Sequence, residues 1–200
     1  MDQLIEGYRR FRAEFWPADR ARYEALAKRG QHPHALVVAC ADSRVDPQTV
    51  FGAVPGELFT LRNVAALVPP YQPDGNHHGT SAGLEFGVRV LKVERIVVLG
   101  HAQCGGVQAM IHGAPAEAQD FVEHWMDIAK PALRCEPVEP AGTVAFYEAQ
   151  VVRLSLNNLM TFPWIASSVA AGNLKLEGFH FDIHTGTLSR LVDGEFVQVT

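Results

Sequence analysis

The sequence is poor in cysteine, in clustered positive charge and in long apolar segments. Three cysteines in 200 residues are few, and an odd number cannot all pair, so we expect reduced thiols and no disulfide framework. The 17 Lys and Arg are scattered among 22 Asp and Glu, which argues against a nucleic-acid partner. No run approaches the roughly 18 apolar residues of a membrane span. The opening MDQLIEGYRRF shows no signal pattern, so we expect a cytoplasmic location and no membrane partner.

The chain has enough hydrophobic residues to form one buried core. Hydrophobic residues make up 48% of the sequence, which suits a single domain over residues 1–200. Residues 2–30 carry apolar side chains at three-to-four spacing and predict two helical segments with a break at Pro17. The aromatic stripe of this arm requires a surface to pack against.

Short apolar runs alternate with helical patterns in the rest of the chain. Residues 35–39 and 95–99 predict buried strands, because they lack polar alternation, and residues 57–61 are a weaker strand candidate. Helical patterns cover residues 80–92, 103–112, 116–130 and 142–160. Residues 174–183 and 187–192 predict a hairpin that closes the chain. This order predicts a three-layer α/β fold with a mainly parallel central sheet and an antiparallel edge strand from the C-terminal hairpin.

Two of the three cysteines follow predicted strands, where open α/β sheets collect their ligands. Cys40 ends the run VVAC, and VVLGHAQC places His101 and Cys104 just beyond the strand at 95–99. Two thiolates and one imidazole form the ligand set of a catalytic zinc site that keeps its fourth position open. A simpler interpretation also fits, because His-x-x-Cys occurs by chance and buried cysteines are usually small hydrophobic residues.

The segment after Cys40 favours the metal interpretation. Asp42 and Arg44 stand at alternate positions, so in an extended chain their side chains project to the side that Cys40 occupies. A bidentate pair would orient the Asp42 carboxylate and keep it ionised. Such an acceptor suits the control of a water molecule on the metal.

In combination these residues resemble the β-class carbonic anhydrases, which carry C-x-D-x-R and then H-x-x-C followed by Gly-Gly. The matching residues are Cys40, Asp42, Arg44, His101, Cys104, Gly105 and Gly106. The similarity extends to Gln31 in GQHP and to residues 55–70 and 79–86, so it covers most of positions 30–112. It implies zinc-dependent, reversible hydration of carbon dioxide to bicarbonate and a proton.

The resemblance implies a role for each matching residue. Cys40, His101 and Cys104 would bind zinc, with water or hydroxide as the fourth ligand, and Asp42 would accept a hydrogen bond from that water. Arg44 would hold Asp42 away from the metal, because in one branch of the family this aspartate takes the fourth position and closes the site. The positions that shape the substrate pocket in the plant-like branch correspond to Gln31, Phe59, Val64, Phe86 and Gly105.

The resemblance also implies an assembly. In the plant-like branch the neighbouring subunit completes the pocket, so we expect a homodimer or a higher homo-oligomer, with the arm of residues 1–30 packed across the partner. Two positions depart from family patterns. Phe86 replaces a tyrosine that is frequent in the plant-like branch, and Val37 replaces a tryptophan of the branch in which bicarbonate regulates a closed site. We therefore expect the open type of site.

The sequence leaves other functions open. A zinc hydrolase of carbonyl sulfide or carbon disulfide would use the same fold, because these substrates share the electrophilic carbon of carbon dioxide. A non-catalytic zinc protein is disfavoured by the positioned acid at Asp42, and a redox thiol module lacks its C-x-x-C. His77 and His78 suit either a solvated loop or a proton relay. Arg62 suits a buried ion pair or a subunit interface, and Asp46 before a proline predicts a helix start.

Overall fold

A six-stranded sheet forms the centre of the molecule. The computed structural model describes residues 1–137 and 143–200. The strands are β1 (Ala35–Cys40), β2 (Leu58–Asn63), β3 (Arg95–His101), β4 (Lys175–Phe181), β5 (Leu188–Val192) and β6 (Glu195–Gln198). They lie in the order β2-β1-β3-β4-β5-β6, with β1 to β4 parallel and β5 and β6 antiparallel at one edge. The predicted α/β fold with a mainly parallel sheet is confirmed.

Both faces of the central strands are covered, as their uninterrupted apolar runs predict. All six residues of β1 are buried. Successive side chains of a strand point to opposite faces, so Leu36 and Val38 join one apolar cluster while Val37 and Ala39 join another. Burial on both faces fixes the register in which β1 pairs with its neighbours.

The strands differ from the predictions at two places. β2 starts at residue 58 and continues to Asn63, because Arg62 and Asn63 extend the ladder along the end of β1. The prediction that the hairpin of β4 and β5 closes the chain is wrong, since β6 follows it. Asp193 and Gly194 have φ angles of 49° and 89° and form the two-residue turn between β5 and β6.

The N-terminal arm is a nearly continuous helix. Helices α1 (Asp2–Arg10) and α2 (Trp16–Arg29) are joined by a π-helical turn at Phe11–Phe15. The predicted break at Pro17 is wrong, because Pro17 lies in the first turn of α2, where a missing N–H costs no helical hydrogen bond. None of the residues of α1 or α2 is buried.

The remaining helices connect the strands. They are α3 (Pro47–Val50), α4 (Gly79–Glu85), α5 (Gly105–His112), α6 (His124–Met126), α7 (Thr143–Leu159) and α8 (Pro163–Ala170). Asp46 caps α3 by accepting the N–H of Thr49 at 3.0 Å, as the Asp-Pro pair predicts. The helix predicted over 80–92 is α4 followed by a π-helical turn at Phe86–Val90. The helix predicted over 142–160 is α7, and residue 142 lies outside the described residues.

The helical pattern predicted over residues 116–130 is present, but it is divided among several short turns and is not one regular α-helix. This segment contains 3₁₀ turns at Ala116–Ala118 and Asp127–Arg134, a π-helical turn at Gln119–Glu123, and the short α6. Pro131 lies inside the second 3₁₀ turn, where a regular α-helix would press its ring against the carbonyl of residue 127. The apolar periodicity also fails to reveal α8, although Pro163 at its first position is a helix-start signal.

Candidate metal centre and active site

Three side chains with metal-binding atoms converge at the carboxyl ends of β1 and β3. Cys40 is the last residue of β1, His101 is the last residue of β3, and Cys104 directly precedes α5. The two strands pair in parallel with Ala39 opposite Leu99, so Cys40 and His101 lie at the same edge of the sheet. The ligand atoms all lie within 4.8 Å of one another, and the two sulfurs are 3.9 Å apart. All three residues are buried.

A left-handed residue allows His101 and Cys104 to face the same point. Gln103 has a φ angle of 56°, which is uncommon for a residue other than glycine. This conformation turns the chain between the end of β3 and the start of α5, and Arg44 Nη2 donates to the Gln103 carbonyl at 3.1 Å. The His-x-x-Cys spacing supplies two converging ligands because of this turn, which the spacing itself does not reveal.

The imidazole of His101 has the protonation pattern of a metal ligand. Its Nδ1 lies 2.8 Å from the Ala102 carbonyl, which can only accept, so Nδ1 carries a proton and Nε2 of the neutral ring presents a lone pair. Within residues 1–137 and 143–200, Nε2 is one of two buried side-chain nitrogen or oxygen atoms without a hydrogen-bond partner. Such an atom requires an explanation. Together with two sulfurs it forms a donor set that zinc prefers, so the residues present fit a zinc ion.

The pKa values of the Cys40 and Cys104 thiols are shifted in opposite directions. The hydrogen bond from Cys104 lowers the pKa of Cys40, whereas the same contact and burial raise the pKa of Cys104. Backbone N–H groups of Asp42 and Ala65 further favour the Cys40 thiolate, and those of Val107 and Gly106 favour the Cys104 thiolate. The negative charge of the Cys40 thiolate therefore opposes ionisation of Cys104 across the 3.9 Å contact. A divalent cation would remove this opposition and bind both sulfurs as thiolates.

Asp42 and Arg44 form the bidentate pair that their spacing predicts. Arg44 donates from Nε to Asp42 Oδ1 at 2.9 Å and from Nη2 to Oδ2 at 2.7 Å, and its backbone N–H also reaches Oδ1 at 2.9 Å. These hydrogen bonds hold the pKa of the Asp42 carboxyl well below its usual range. Asp42 Oδ2 lies 3.8 Å from His101 Nε2. An ionised carboxylate thus stands at the edge of the three-residue cluster.

Arg62 has a role that the sequence did not identify. Its Nε donates to the carbonyl of Cys40 at 2.9 Å, and its Nη2 donates to the carbonyls of Asp42 at 2.7 Å and Val45 at 2.8 Å. The nearest carboxylate, Asp46, is 3.8 Å away and half exposed. Arg62 therefore pins the loop that follows β1, and the main-chain carbonyls rather than a buried carboxylate are its principal partners.

The segment 64–66 forms a wall beside the cluster. Ala65 and Ala66 have φ angles of 66° and 52°, and Trp125 Nε1 donates to the carbonyl of Val64 at 2.9 Å. Gly106 lies against this wall, where a Cβ atom would come within 2.8 Å of the Ala65 Cβ and of Val64 Cγ1. The absence of a side chain at Gly106 lets α5 approach the wall, which keeps Cys104 close to the end of β1.

Comparisons with known proteins agree with this geometry. The family model for carbonic anhydrases matches residues 35–188. Over 196 residues the chain is 34% identical to beta carbonic anhydrase 3 of Arabidopsis thaliana, covering 94% of this chain and 75% of that relative. The chain belongs to the β-class carbonic anhydrases. It is therefore a carbonic anhydrase enzyme, a lyase, and zinc is the cofactor of this class.

Solved β-class carbonic anhydrases share the whole fold. The structure of the β-carbonic anhydrase CcaA aligns with a TM-score of 0.91 and 29% identity, covering 100% of this chain and 99% of that one. A tetrameric β-carbonic anhydrase from the ascomycete Sordaria macrospora aligns with a TM-score of 0.83 and 25% identity, covering 98% of both chains. The alignment with CcaA therefore includes the N-terminal arm and the C-terminal strands.

The pocket positions expected for a β-class carbonic anhydrase fall into two groups. Val64 and Gly105 lie beside the cluster, but Phe59 lies four residues before the end of β2, roughly 13 Å along the strand. Phe59 and Phe86 contact each other with ring centroids 5.9 Å apart, and Phe86 is 44% exposed. Gln31 is exposed and precedes β1. A single chain of this carbonic anhydrase does not bring the last three residues to its own cluster.

An open groove of about 910 Å³ runs beside the wall, between residues 69–81 and 121–131. Val64 lines it, whereas the three ligand residues do not. His77 and His78 also line it, and His78 Nε2 lies 2.7 Å from Asp74 Oδ1. His78 thus has a fixed partner at the groove, while a proton relay through these histidines stays a prediction.

Because of the wall at 64–66, we expect alanine substitutions at Gly105 and Gly106 to change stability by different amounts. Gly106→Ala places a Cβ against Val64 and Ala65, and we expect the free energy of unfolding to fall by about 1–3 kcal/mol because the wall must move. Gly105→Ala is the matched control, since its Cβ would meet no atom within 4 Å, and we expect a change below about 1 kcal/mol. Urea denaturation at one protein concentration measures both. Equal losses in the two variants would contradict this packing.

Proposed function

We propose that this carbonic anhydrase catalyses the zinc-dependent, reversible hydration of carbon dioxide to bicarbonate and a proton. The observation that carries the proposal is the buried Cys40, His101 and Cys104 cluster with the ionised Asp42 carboxylate at its edge. The cluster offers three protein ligands within the described residues, so a fourth position remains for water. A structural zinc site is normally closed by a fourth protein ligand.

The chain's own residues prepare the reacting groups. When bound, zinc lowers the pKa of a water molecule toward neutrality and so supplies the nucleophile. Asp42 is ionised and can only accept, so it takes a hydrogen bond from the attacking water and turns an oxygen lone pair toward the carbon of carbon dioxide. That oxygen forms the new C–O bond, an electron pair of one C=O bond moves to its oxygen, and the water proton passes to solvent. Arg44 fixes the direction in which Asp42 accepts.

A second copy of the chain completes the pocket in this proposal. Gln31, Phe59 and Phe86 lie away from the cluster of their own chain, and Phe86 is exposed. The arm has no buried residue, and Leu4 and Tyr8 are 78% and 61% exposed. The Sordaria macrospora relative is tetrameric. We therefore propose one domain over residues 1–200 that forms at least a homodimer, with residues 1–30 packed on the partner and with Gln31 completing the partner's substrate pocket.

The location of the protein in the cell is a separate proposal. Within the described part of the chain, none of the helices combines the length and the apolar character needed to cross a membrane. The cytoplasmic location expected from the sequence is kept as a proposal, and cell fractionation tests it directly.

Removing Asp42 and removing a ligand have different expected effects. Asp42→Ala keeps all three ligands, so we expect one zinc per chain and a fall in turnover of about 100-fold or more. Cys104→Ala removes a ligand, so zinc content falls together with turnover. Metal analysis and a carbon dioxide hydration assay on the same preparations measure both effects. If the native chain holds one zinc per chain but does not hydrate carbon dioxide, the proposal is contradicted. That result would favour a hydrolase of carbon disulfide or carbonyl sulfide, or a structural zinc site.

Activity is expected to rise as the pH increases above neutral. Two thiolates offset the charge of Zn²⁺, so the bound water should be less acidic than in a site with three neutral imidazoles. Asp42 does not contribute to this rise, because its hydrogen bonds with Arg44 lower its pKa and its charge is lost only in acid. Stopped-flow hydration between pH 6.5 and pH 9 measures the profile. A rate that is already constant from pH 6.5 upward would contradict the expectation.

Arg44→Ala is expected to close the site. Without the two side-chain hydrogen bonds from Arg44, the Asp42 carboxylate is free to rotate toward the cluster and take the fourth position on zinc. Turnover should fall while zinc is retained. Arg44→Lys is the matched control, because it keeps the charge but loses the bidentate geometry, and a smaller loss is expected. A crystal structure of zinc-loaded Arg44→Ala in which Asp42 does not bind the metal would contradict this role.

A further inference from the structure

A buried carboxylate lies behind the metal cluster, and the proposed chemistry does not use it. Glu148 belongs to α7 and is 3% exposed. Its Oε1 accepts the backbone N–H of Cys104 at 3.1 Å, and its Oε2 lies 3.2 Å from Nε2 of His180 in β4. Both carboxylate oxygens therefore have partners. Burial of a charged group is costly unless it is paired, so filling of the core does not account for a glutamate at this position.

Two glycines bring α7 close enough for this contact. A Cβ at Gly100 in β3 would lie 2.6 Å from the Val152 side chain, and a Cβ at Gly178 in β4 would lie 3.0 Å from it. Helix α7 therefore packs directly on the backbone of these strands. Glu148 is one turn before Val152 and lies on the same face of the helix, which places its carboxylate at the start of α5.

The N–H of Cys104 requires an acceptor outside α5. Cys104 is the N-cap residue, with an extended backbone at φ −68° and ψ 119°, so its N–H lies ahead of the helical hydrogen-bond ladder. A buried N–H of this kind is stabilised only by a partner elsewhere. Glu148 is that partner. The bond fixes the peptide plane that carries the Cys104 side chain, and with it the 3.9 Å separation of the two sulfurs.

We infer that Glu148 and His180 are positioning residues of the metal centre, which hold the Cys104 peptide so that its sulfur faces Cys40 and His101. His180 orients the carboxylate, and the carboxylate orients the peptide. Metal sites commonly depend on hydrogen bonds to their ligands, and in this protein the bond reaches the ligand through its main chain. The inference rests on the metal-binding part of the proposed function and not on carbon dioxide as the substrate.

The test compares metal binding by purified Glu148→Ala and Glu148→Gln with that of the native chain. Glu148→Ala leaves the Cys104 N–H without its acceptor, so Zn²⁺ affinity, measured against a competing chelator, should fall about 10- to 100-fold. The thiolate-to-metal absorption bands of the Co²⁺-loaded protein should change as the Cys104 sulfur moves. Glu148→Gln keeps a carbonyl oxygen for the N–H and should retain the native spectrum and most of the Zn²⁺ affinity.

His180→Phe tests the second positioning residue. It keeps a ring beside Phe196 and should give a smaller loss of Zn²⁺ affinity than Glu148→Ala.

Leu159→Ala is the matched control for loss of stability. Leu159 is fully buried in the same helix but packs in the apolar cluster that contains Phe162 and Leu174, away from the ligands. We expect it to lower the unfolding temperature and to leave the Co²⁺ spectrum and Zn²⁺ affinity unchanged. The inference is overturned if Glu148→Ala behaves in the same way. If Glu148→Ala does not fold, native affinity and spectrum in His180→Phe overturn it instead.

The outcomes separate this inference from the proposed function. A native chain that binds Zn²⁺ without hydrating carbon dioxide contradicts the proposed reaction, while the comparison of Glu148 variants still decides the positioning role. A native chain that takes up neither Zn²⁺ nor Co²⁺ overturns both.

Discussion

The parallel pairing of β1 with β3 is the constraint on which the metal centre depends. Pairs such as Val37 with Val97 and Val38 with Val98 are buried in the core, and a shift of one residue would turn every side chain of the strand to the wrong face. The register that satisfies the apolar core also places Cys40 level with the end of β3. The distance between the ligands is therefore determined first by hydrophobic packing, and polar contacts adjust it afterwards.

The charged groups around the centre act largely on the main chain. Arg62 donates to one carbonyl at the end of β1 and to two in the loop that follows, Arg44 donates to the carbonyl of Gln103, and Glu148 accepts the N–H of Cys104. Each contact connects segments that are far apart in the sequence. Because each contact fixes the main chain, it also confines the side chain that this main chain carries.

The sequence predicts the parts of this molecule that depend on neighbouring residues. Cys40 ends a strand whose apolar run is evident and Asp42 lies just beyond it, and the fold around them follows from similar runs. Strand β6 is harder to detect, because four residues after the Asp-Gly turn offer little alternation. The partners of Arg62 depend on the register of β1 with β2, and Glu148 lies 44 residues beyond the peptide that it holds. No local pattern encodes contacts that arise only when distant elements pack.

The exposed N-terminal arm is the part of the structure whose order would depend on protein concentration. The nearly continuous helix of residues 2–29 has no buried side chain and gains little from its own chain, whereas most helical stability in proteins comes from packing of one helix face. If a second copy supplies the missing surface, the order of the arm follows mass action and decreases on dilution. Gln31 lies two residues beyond α2, so the same equilibrium would govern whether the substrate pocket is complete. Catalytic competence would then depend on the number of chains present as well as on the structure of each one.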